Sequence, residues 1–247
     1  MLSIERQASV VKSPPTPGAR ARVRAELTDE IKAIARRHLA EHGAESLSLR
    51  AVAREQGMVS SAIYRYFPSR DQLLTALIVD SYRAVGAAAE RADAACRRGD
   101  LAGRWLATAR AIRRWALENP HEYALVYGSP IAGYAAPTDT IDPALGVVMV
   151  HIRLLIDAVE AGIAIATPAF ETTRAVRADL AALRSTIAPD VPDGVLSHGL
   201  LVWMQLFGSI SYELFGHFEN VISDRDAFFD LQMRQAGRLL FAEGETG

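Results

Sequence analysis

The sequence predicts an all-α fold, and three observations support that prediction. No proline occurs within residues 18–67 or 69–119, and none follows Pro192. Because a proline inside a helix costs about 3 kcal/mol, these gaps permit long helices. Their Ala, Leu, Arg and Glu content favours helix, and no stretch alternates apolar and polar residues as a half-buried strand does. With 247 residues, half of them apolar, the chain is long enough for one or two domains.

Start and stop signals place the helices along the chain. Ser69 with Gln72 three residues later forms a capping box, and Asp100 is a favourable N-cap. The segment 13–18 is rich in Ser, Thr, Pro and Gly, so residues 1–24 are predicted to be a disordered arm. The predicted helices span residues 28–43, 48–55, 60–67, 69–98, 100–119, 120–127, 143–166, 172–187, 193–216 and 224–242.

Charge is distributed unevenly along the chain. Residues 1–83 carry 13 Lys and Arg against 9 Asp and Glu, a net charge of +4, and the remainder carries −6. A basic head on an acidic body favours contact with a polyanion, although this excess alone is weak evidence. The single cysteine, Cys96, excludes a disulfide framework and a thiolate metal site. Residues 1–13 lack a signal-like segment and no apolar run nears the roughly 18 residues of a membrane span, so we expect a cytoplasmic protein without a membrane partner.

Residues 47–67 carry the most informative pattern, that of two short helices joined by a tight turn. Ala53 is small where the helices approach most closely, and Gly57, four residues later, tolerates the positive φ of such a turn. Apolar residues fill the inward positions, namely Leu49, Val52, Met58 and Ile63. The second helix then leaves one face for a DNA major groove, formed by Ser60, Ser61, Tyr64 and Arg65. An ordinary helical hairpin in a bundle core is the alternative that this spacing leaves open.

The flanking segments make the chain resemble the TetR family of bacterial regulators. That family has a first helix ending in Gly, a Ser/Thr-Leu-Arg-x-Val/Ala-Ala helix, another Gly, and a recognition helix ending in Tyr-x-x-Phe. The corresponding segments here, within residues 28–75, are His42-Gly43, Leu47-Ser48-Leu49-Arg50-Ala51-Val52-Ala53, Gly57 and Ile63-Tyr64-Arg65-Tyr66-Phe67-Pro68-Ser69-Arg70. Val59 departs from the pattern, because the family usually has a Ser or Thr N-cap there. Ser60 or Ser61 is then the expected cap.

The resemblance implies two kinds of DNA contact. Phosphate contacts position the protein without reading bases, and the residues expected to make them are Ser48, Tyr64, Tyr66 and Arg70. Arg50 is also expected to contact DNA. Base edges are expected to be read by Ser60, Ser61 and Arg65, of which Arg65 can bond a guanine through two donors. A helix cap is the alternative for the serines, and a phosphate contact is the alternative for Arg65. Arg20, Arg22 and Arg24 are expected to contact phosphates or the minor groove, with a solvated tail as the alternative.

The last two predicted helices are expected to form a dimer. A helix-turn-helix binds one half-site, so useful affinity normally needs a second copy one or two turns of DNA away, ~34 Å each. The helix of residues 193–216 is apolar all round and must be covered on both sides. In the TetR family the last two helices of each subunit form a four-helix dimer bundle, and a buried monomeric core helix is the alternative. The residues assigned to this interface are Leu196, Leu200, Trp203, Phe207, Ile210, Leu214, Phe228, Leu231 and Leu239.

The second half is also expected to bind an effector. Residues 119–137 resemble the TetR subgroup whose C-terminal domain is named WHG after a Trp and a His-Gly pair. Here Trp203 is followed by Phe207-Gly208, so the role of that histidine is not transferred. The missing polar group makes the interior more apolar and suggests an apolar effector. Candidate pocket residues, each with a plain core position as the alternative, are Trp105, Tyr123, Tyr127, Met149, His151, Trp203 and Phe207.

Enzymatic and metal-binding functions have little support in the sequence. It contains no Gly-x-Ser-x-Gly, Walker or Rossmann motif, so we expect no enzyme activity and no cofactor. His38 and His42 are four residues apart but lack a convergent carboxylate or cysteine, so we expect no metal site.

These patterns together predict two domains and a function. Residues 25–72 are expected to form the helix-turn-helix domain, and residues 73–247 the effector-binding and dimerisation domain. The predicted function is that of a homodimeric transcriptional repressor, bound to a double-stranded DNA operator and released by a small, mostly apolar ligand. A helical sensor or adaptor that has lost specific DNA binding is the alternative.

Overall fold

The computed structural model describes residues 17–165 and 173–242. These residues form nine α-helices and no strand apart from one isolated bridge between Ala164 and Phe241, which confirms the all-α prediction. The helices are α1 (Pro17–His42), α2 (Leu49–Glu55), α3 (Arg70–Ala94), α4 (Leu101–Glu118), α5 (Pro120–Tyr127), α6 (Ile141–Glu160), α7 (Arg174–Ile187), α8 (Asp193–Leu214) and α9 (Arg225–Leu240). Short 3-10 turns lie at Ala44–Ser46, Ile63–Arg65 and Thr138–Thr140.

The predicted capping signals are present at the helix starts. Ser69 Oγ accepts a hydrogen bond from the Gln72 N–H at 3.1 Å, directly before α3. Asp100 Oδ1 accepts one from the Gly103 N–H at 2.9 Å at the start of α4. Pro120 occupies the first position of α5, where its fixed φ suits the helix. These side chains satisfy or remove N–H groups that have no partner within the helix.

The first helix is longer than predicted. It begins at Pro17, so residues 17–24, predicted to belong to a disordered arm, are helical, whereas residues 1–16 lie outside the described part of the chain. The cause is local, because proline is favourable in the first turn and the alternating Ala and Arg residues after it are strong helix formers. Helix α6 instead ends early, at Glu160, because Gly162 adopts φ +70° and stops it.

The chain divides into two compact units between Leu73 and Leu74. In the first unit, α1 and α2 enclose a small core whose fully buried side chains include Ile31, Ala35, Val52, Ala53 and Ile63. In the second, α4, α6 and α8 pack on one another, and α9 lies along α4 and α8. The core there is apolar and aromatic, and its members include Trp105, Ile112, Leu154, Leu155 and Leu206.

Buried charges in the second unit are paired. Arg104 of α4 is only 1% exposed, and its guanidinium donates to Asp93 of α3 at 2.8 Å and to Asp157 of α6 at 2.7 Å. Arg113 of α4 donates twice to Glu213 of α8, both bonds at 2.7 Å. Because the donors and acceptors match, these pairs tie neighbouring helices together without leaving an uncompensated charge.

Candidate nucleic-acid interface and interior aromatic cluster

The tight turn after α2 forms as the sequence predicts. Gly57 adopts φ +71°, a conformation that strongly favours glycine, and its N–H donates to the Arg54 carbonyl at 3.2 Å. On either side of the turn Ala53 and Ile63 are fully buried, and Met58 is half-buried. These anchors set the direction of the residues that follow the turn.

Most side chains predicted to contact DNA lie on the surface of this first unit. Ser60, Ser61 and Arg65 are exposed, and Tyr64 is 43% exposed. Ser48 and Arg50 are exposed at the start of α2, and the Ser48 hydroxyl makes no capping bond there. Arg22 is exposed on α1, and Tyr66 is half-buried. The exposed side chains provide hydroxyl, phenol and guanidinium donors, which suit phosphate oxygens and base edges.

The recognition segment differs from the predicted α-helix. Residues 60–66 form turns around the single 3-10 turn Ile63–Arg65, and no side chain caps that turn. The expected cap by Ser60 or Ser61 is therefore wrong. Val59, which is 72% exposed, has no side-chain acceptor for the N–H groups that follow. A segment this short and without a cap does not form a stable helix on its own. Its shape is therefore held by the side chains of Ile63 and Phe67, which are buried in the core.

Two arginines expected at phosphates make hydrogen bonds within the unit. Arg24 Nη2 donates to the Arg65 carbonyl at 2.8 Å, and its guanidinium lies 5.2 Å from the centre of the Tyr66 ring. Arg70 Nη2 donates to the Ala44 carbonyl at 2.9 Å. Arg24 therefore holds the recognition segment against α1, and Arg70 holds the start of α3 against the turn that follows α1. Sequence patterns do not mark these roles, because the acceptors are backbone carbonyls.

Glu55 at the end of α2 bonds two side chains of α1. Arg37 Nη2 donates to Glu55 Oε1 and His38 Nε2 contacts Glu55 Oε2, both at 2.7 Å. The bonds from Arg37 and then His38 hold the pKa of Glu55 below its ordinary value. His38 thus takes part in a contact between α1 and α2. Among the described residues, no group of three or more His, Cys, Asp and Glu is placed to hold a metal ion.

Six of the seven predicted pocket residues meet in one row of rings inside the second unit. Successive ring centroids are separated by 4.4–5.6 Å, in the order Trp105, His151, Trp203, Phe207, Tyr127 and Tyr123. These distances suit tilted aromatic packing, and the rings come from α4, α5, α6 and α8. We call this row the aromatic cluster. Met149, the seventh residue, is partly buried on α6 against the same core but does not line the cavity at the end of the row.

That cavity contains unmatched polar atoms. It is lined by Trp105, Thr108, Ile112, Val147, Val150, His151, Leu154, Trp203 and Leu206, and its free volume is about 10 Å³. His151 Nε2 donates to the Gly199 carbonyl at 3.0 Å. His151 Nδ1 and Thr108 Oγ1 have no hydrogen-bond partner among the described residues. Burial lowers the pKa of His151 to about 4, although the bond to Gly199 opposes that shift, so the imidazole is neutral at physiological pH.

Gly199 brings α6 and α8 close enough for this bond. A Cβ at this position would overlap the Leu155 side chain and lie 3.3 Å from His151 Nε2. The glycine thereby exposes its carbonyl to His151 and fixes which ring nitrogen carries the proton. As a result Nδ1 presents a lone pair to the cavity.

Large apolar side chains are exposed on α8, directly after it and on α9. They are Leu201, Met204 and Tyr212 on α8, Phe215 directly after α8, and Leu231 and Leu239 on α9, and we call this set the α8–α9 face. Met204 at 63% exposure is among its most open members. Of the predicted dimer residues only Leu231 and Leu239 lie on it, whereas Leu200, Leu214 and Phe228 are half-buried.

Two predicted dimer residues are corrected by their position. Leu196 and Ile210 are buried in the core of the second unit, so they are not available to a partner. Trp203 and Phe207 belong to the aromatic cluster and are half-buried. When a helix is apolar on all sides, the spacing of its apolar residues does not show which side faces the core. The sequence therefore could not separate the two faces of α8. For the same reason α8 is the one helix within the described part of the chain that is long and apolar enough to cross a membrane, judged by length and composition only. Its mean hydropathy is 1.2, and 39% of that stretch is buried.

Comparison with known proteins identifies both units. Residues 31–77 match the family described as bacterial regulatory proteins, tetR family, and residues 105–236 match the tetracyclin repressor-like C-terminal domain. The HTH-type transcriptional regulator Rv1816 of Mycobacterium tuberculosis (strain ATCC 25618 / H37Rv) is 39% identical over 225 residues, which cover 88% of this chain and 93% of that protein. The chain belongs to the TetR family.

Solved structures with a similar fold cover nearly the whole chain. The crystal structure of the putative regulatory protein SCO4313 has a TM-score of 0.72 and 35% identity, and covers 90% of this chain and 98% of that one. A protein with unknown function from Rhodococcus sp. RHA1 has a TM-score of 0.65 over 87% of this chain and 96% of its own. At 22% identity, that second likeness supports the fold alone.

This TetR-family regulator is therefore a DNA-binding transcription factor built around a helix-turn-helix, as its sequence predicts. Sequence reasoning found the aromatic residues of its interior but missed Thr108 and the apolar cavity wall. Thr108 lies on α4 among core residues, and only the positions of α6 and α8 show that its hydroxyl is left without a partner.

Proposed function

We propose that this regulator is a homodimeric repressor that binds a pseudo-palindromic operator and releases it when a small, mostly apolar effector binds. The observation that carries the DNA-binding part is the recognition segment itself. Its polar side chains Ser60, Ser61, Tyr64 and Arg65 are all exposed on one short segment whose apolar residues are buried beneath it. In that arrangement the exposed hydrogen-bond donors can enter a DNA major groove, while the buried apolar side chains hold the segment in place.

The exposed side chains divide into two roles. Arg65 and the two serines would contact base edges, with Arg65 donating to guanine O6 and N7. Val59 would add an apolar contact to a thymine methyl group, since it is the most exposed apolar side chain of the segment. Ser48, Arg50 and Tyr64 would contact phosphates and set the register.

The α8–α9 face supports the homodimer. Its exposed apolar side chains lie on and beside two helices that pack on each other, and exposed apolar patches of this kind mark interaction surfaces. A single recognition segment reads only one half-site, so a second copy joined through this face would supply the other half. Gly208, which is exposed on α8 between Met204 and Tyr212, leaves room for close approach of a partner helix.

The aromatic cluster supports an effector site. Cavities lined by aromatic and aliphatic groups with a few polar atoms are the usual form of small-molecule sites. For a near-complete switch, the effector must favour the form that does not bind DNA by roughly 5.5 kcal/mol.

DNA binding is tested with a fluorescently labelled fragment from upstream of the regulator's own gene. Anisotropy is measured from about 50 to 200 mM salt, because phosphate contacts make affinity fall steeply over that range. Arg65→Ala is expected to lower operator affinity by about 1–3 kcal/mol and to reduce discrimination against unrelated DNA. The matched control is Arg22→Ala, which should weaken binding equally on both DNAs and reduce the salt slope by about one.

The outcome separates the two candidate functions. Specific binding that depends on Arg65 supports the repressor. Binding that ignores sequence, or that survives Arg65→Ala unchanged, favours a sensor or adaptor that has lost operator recognition.

A further inference from the structure

Two polar atoms at the interior cavity have nothing to bond. Thr108 Oγ1 comes from α4 and His151 Nδ1 from α6, both residues are only 6% exposed, and both line the same cavity. Neither atom has a partner among the described residues. Buried polar groups are almost always paired, so two unpaired ones at one cavity mark a place where a bound molecule would complete the bonding.

The two atoms define the polar group that fits. His151 Nε2 donates to the Gly199 carbonyl, so Nδ1 of the neutral ring can only accept. The Thr108 hydroxyl can donate or accept. One hydroxyl group has the chemistry that both atoms need, because it can donate its proton to Nδ1 and accept the proton of Thr108.

The rest of the cavity excludes charge. Its other walls are hydrocarbon and aromatic, and none of the described side chains that line it is ionised. A charged ligand would lose its hydration there without a counter-ion. The polar group must therefore belong to a neutral and otherwise apolar molecule.

The closed cavity has room for at most one water molecule. Its free volume of about 10 Å³ is near the minimum for one water. Its two unmatched atoms are also the fewest polar partners with which a buried water is usually found. A larger occupant requires one wall to move. Trp105 is fixed by its bond from Nε1 to the Met233 carbonyl at 2.7 Å, whereas Trp203, which also lines the cavity, is only half-buried.

We propose that this cavity is the closed form of the effector site and that it takes a small, neutral alcohol, with its hydroxyl between His151 and Thr108 and its hydrocarbon body against Trp203. The proposal rests on the proposed repressor function only in calling the alcohol an effector. Displacement of Trp203 by the hydrocarbon body opens the site, as in pockets that form only when a ligand selects them.

The test compares three ring compounds of nearly equal size on the full-length protein. Cyclohexanol carries a donor, cyclohexanone carries only an acceptor, and methylcyclohexane carries neither. Binding is measured by calorimetry and by tryptophan fluorescence, to which Trp105 and Trp203 at the cavity and Trp115 away from it contribute. Cyclohexanol is expected to bind about tenfold more tightly than cyclohexanone, because the ketone leaves Nδ1 unpaired, and methylcyclohexane is expected to bind most weakly.

Two variants test whether His151 Nδ1 and Thr108 Oγ1 cause the preference for cyclohexanol. His151→Phe should remove the advantage of cyclohexanol over cyclohexanone. Thr108→Val should weaken both oxygen-bearing compounds towards methylcyclohexane. Ser81→Ala is the control, since Ser81 is buried but bonds the Leu77 carbonyl, and it should leave all three affinities unchanged.

Several results would overturn the proposal. Equal affinity for the alcohol and the ketone, a preference that survives His151→Phe, or no binding of any of the three up to their solubility would each do so. Operator binding is measured in parallel on the same preparations. A protein that binds DNA but not cyclohexanol contradicts the alcohol site alone, and one that binds cyclohexanol without operator specificity contradicts the repressor function alone.

Discussion

The two units of the molecule distribute polar and apolar groups differently. In the helix-turn-helix unit the arrangement is ordinary, with Ile31, Ala53 and Ile63 inside and Ser60 and Arg65 outside. The second unit reverses it in two places. Apolar side chains are exposed on the α8–α9 face, and unpaired polar atoms are buried at the interior cavity.

This difference indicates which sites can be found by physics alone. A reversed arrangement costs free energy in the isolated subunit, so it points to a missing partner or ligand. A DNA-binding surface costs nothing, because exposed donors are solvated by water until DNA arrives. The DNA-binding surface is therefore recognised through the sequence motif that positions it. The sites of the second unit are recognised through their exposed apolar side chains and buried unpaired polar atoms.

The largest predicted effect tests the α8–α9 face as a dimer interface. Met204→Glu should raise the dimer dissociation constant at least a hundredfold, because a charge buried without a partner costs about 3–5 kcal/mol. The subunit should stay folded, since Met204 is 63% exposed within it. Analytical ultracentrifugation measures the constant, and circular dichroism checks the fold.

The control for this prediction is Val176→Glu on α7. Val176 is also an exposed apolar residue, at 46%, but lies outside the α8–α9 face. Dissociation by Val176→Glu, or a dimer that tolerates Met204→Glu, would contradict the assignment of this face.

The second prediction concerns His151 and pH. Its pKa is about 4 in the folded protein and 6.5 ordinarily, so the unfolded chain binds the extra proton first as pH falls. The contribution of neutral His151 to the free energy of unfolding is fully present above pH 6.5. It is lost progressively as the pH falls to 4, by roughly 3 kcal/mol for this one group. Urea unfolding of the wild type against His151→Phe isolates this contribution. Parallel pH profiles for the two proteins would show that His151 is not buried in neutral form.

The third prediction tests the ordinary surface of the first unit. Arg24→Ala should lower operator affinity by about 1 kcal/mol and reduce discrimination between DNA sequences, because Arg24 orients the recognition segment through the Arg65 carbonyl. Arg20→Ala, one helical turn earlier on α1, is the control. It should change binding to operator and unrelated DNA by the same factor. Equal behaviour of the two variants would mean that Arg24 acts only as a charge.

The smallest predicted effect is a gain in stability on substitution of a buried residue. Thr108→Val should stabilise the protein by about 1 kcal/mol, or raise its Tm by about 2–4 °C, because it removes an unpaired buried hydroxyl. Thr140→Val should destabilise it by a similar amount, since Thr140 is also buried but donates to the Pro137 carbonyl at 2.7 Å. Calorimetry compares the two. A loss of stability in both would show that Thr108 is satisfied in solution.

Local sequence signals predicted the first unit well. The turn glycine Gly57, the small Ala53 and the cap at Ser69 depend on neighbours within a few residues, so each appeared in the structure where expected. The start of α1 and the recognition segment were exceptions. In the recognition segment Val59 supplies no cap, and tertiary contacts of Ile63 hold it as a 3-10 turn.

The amino-acid order by itself determined the helices, the tight turn and the family, because these depend on short-range conformational preferences and on a motif written in adjacent residues. Which side of α8 is covered, and which polar atoms stay unpaired, was decided only by the tertiary structure. His151 meets its acceptor at Gly199, 48 residues away, and Arg24 meets the Arg65 carbonyl 41 residues away. Such pairings arise when separate helices pack, and no local pattern records them.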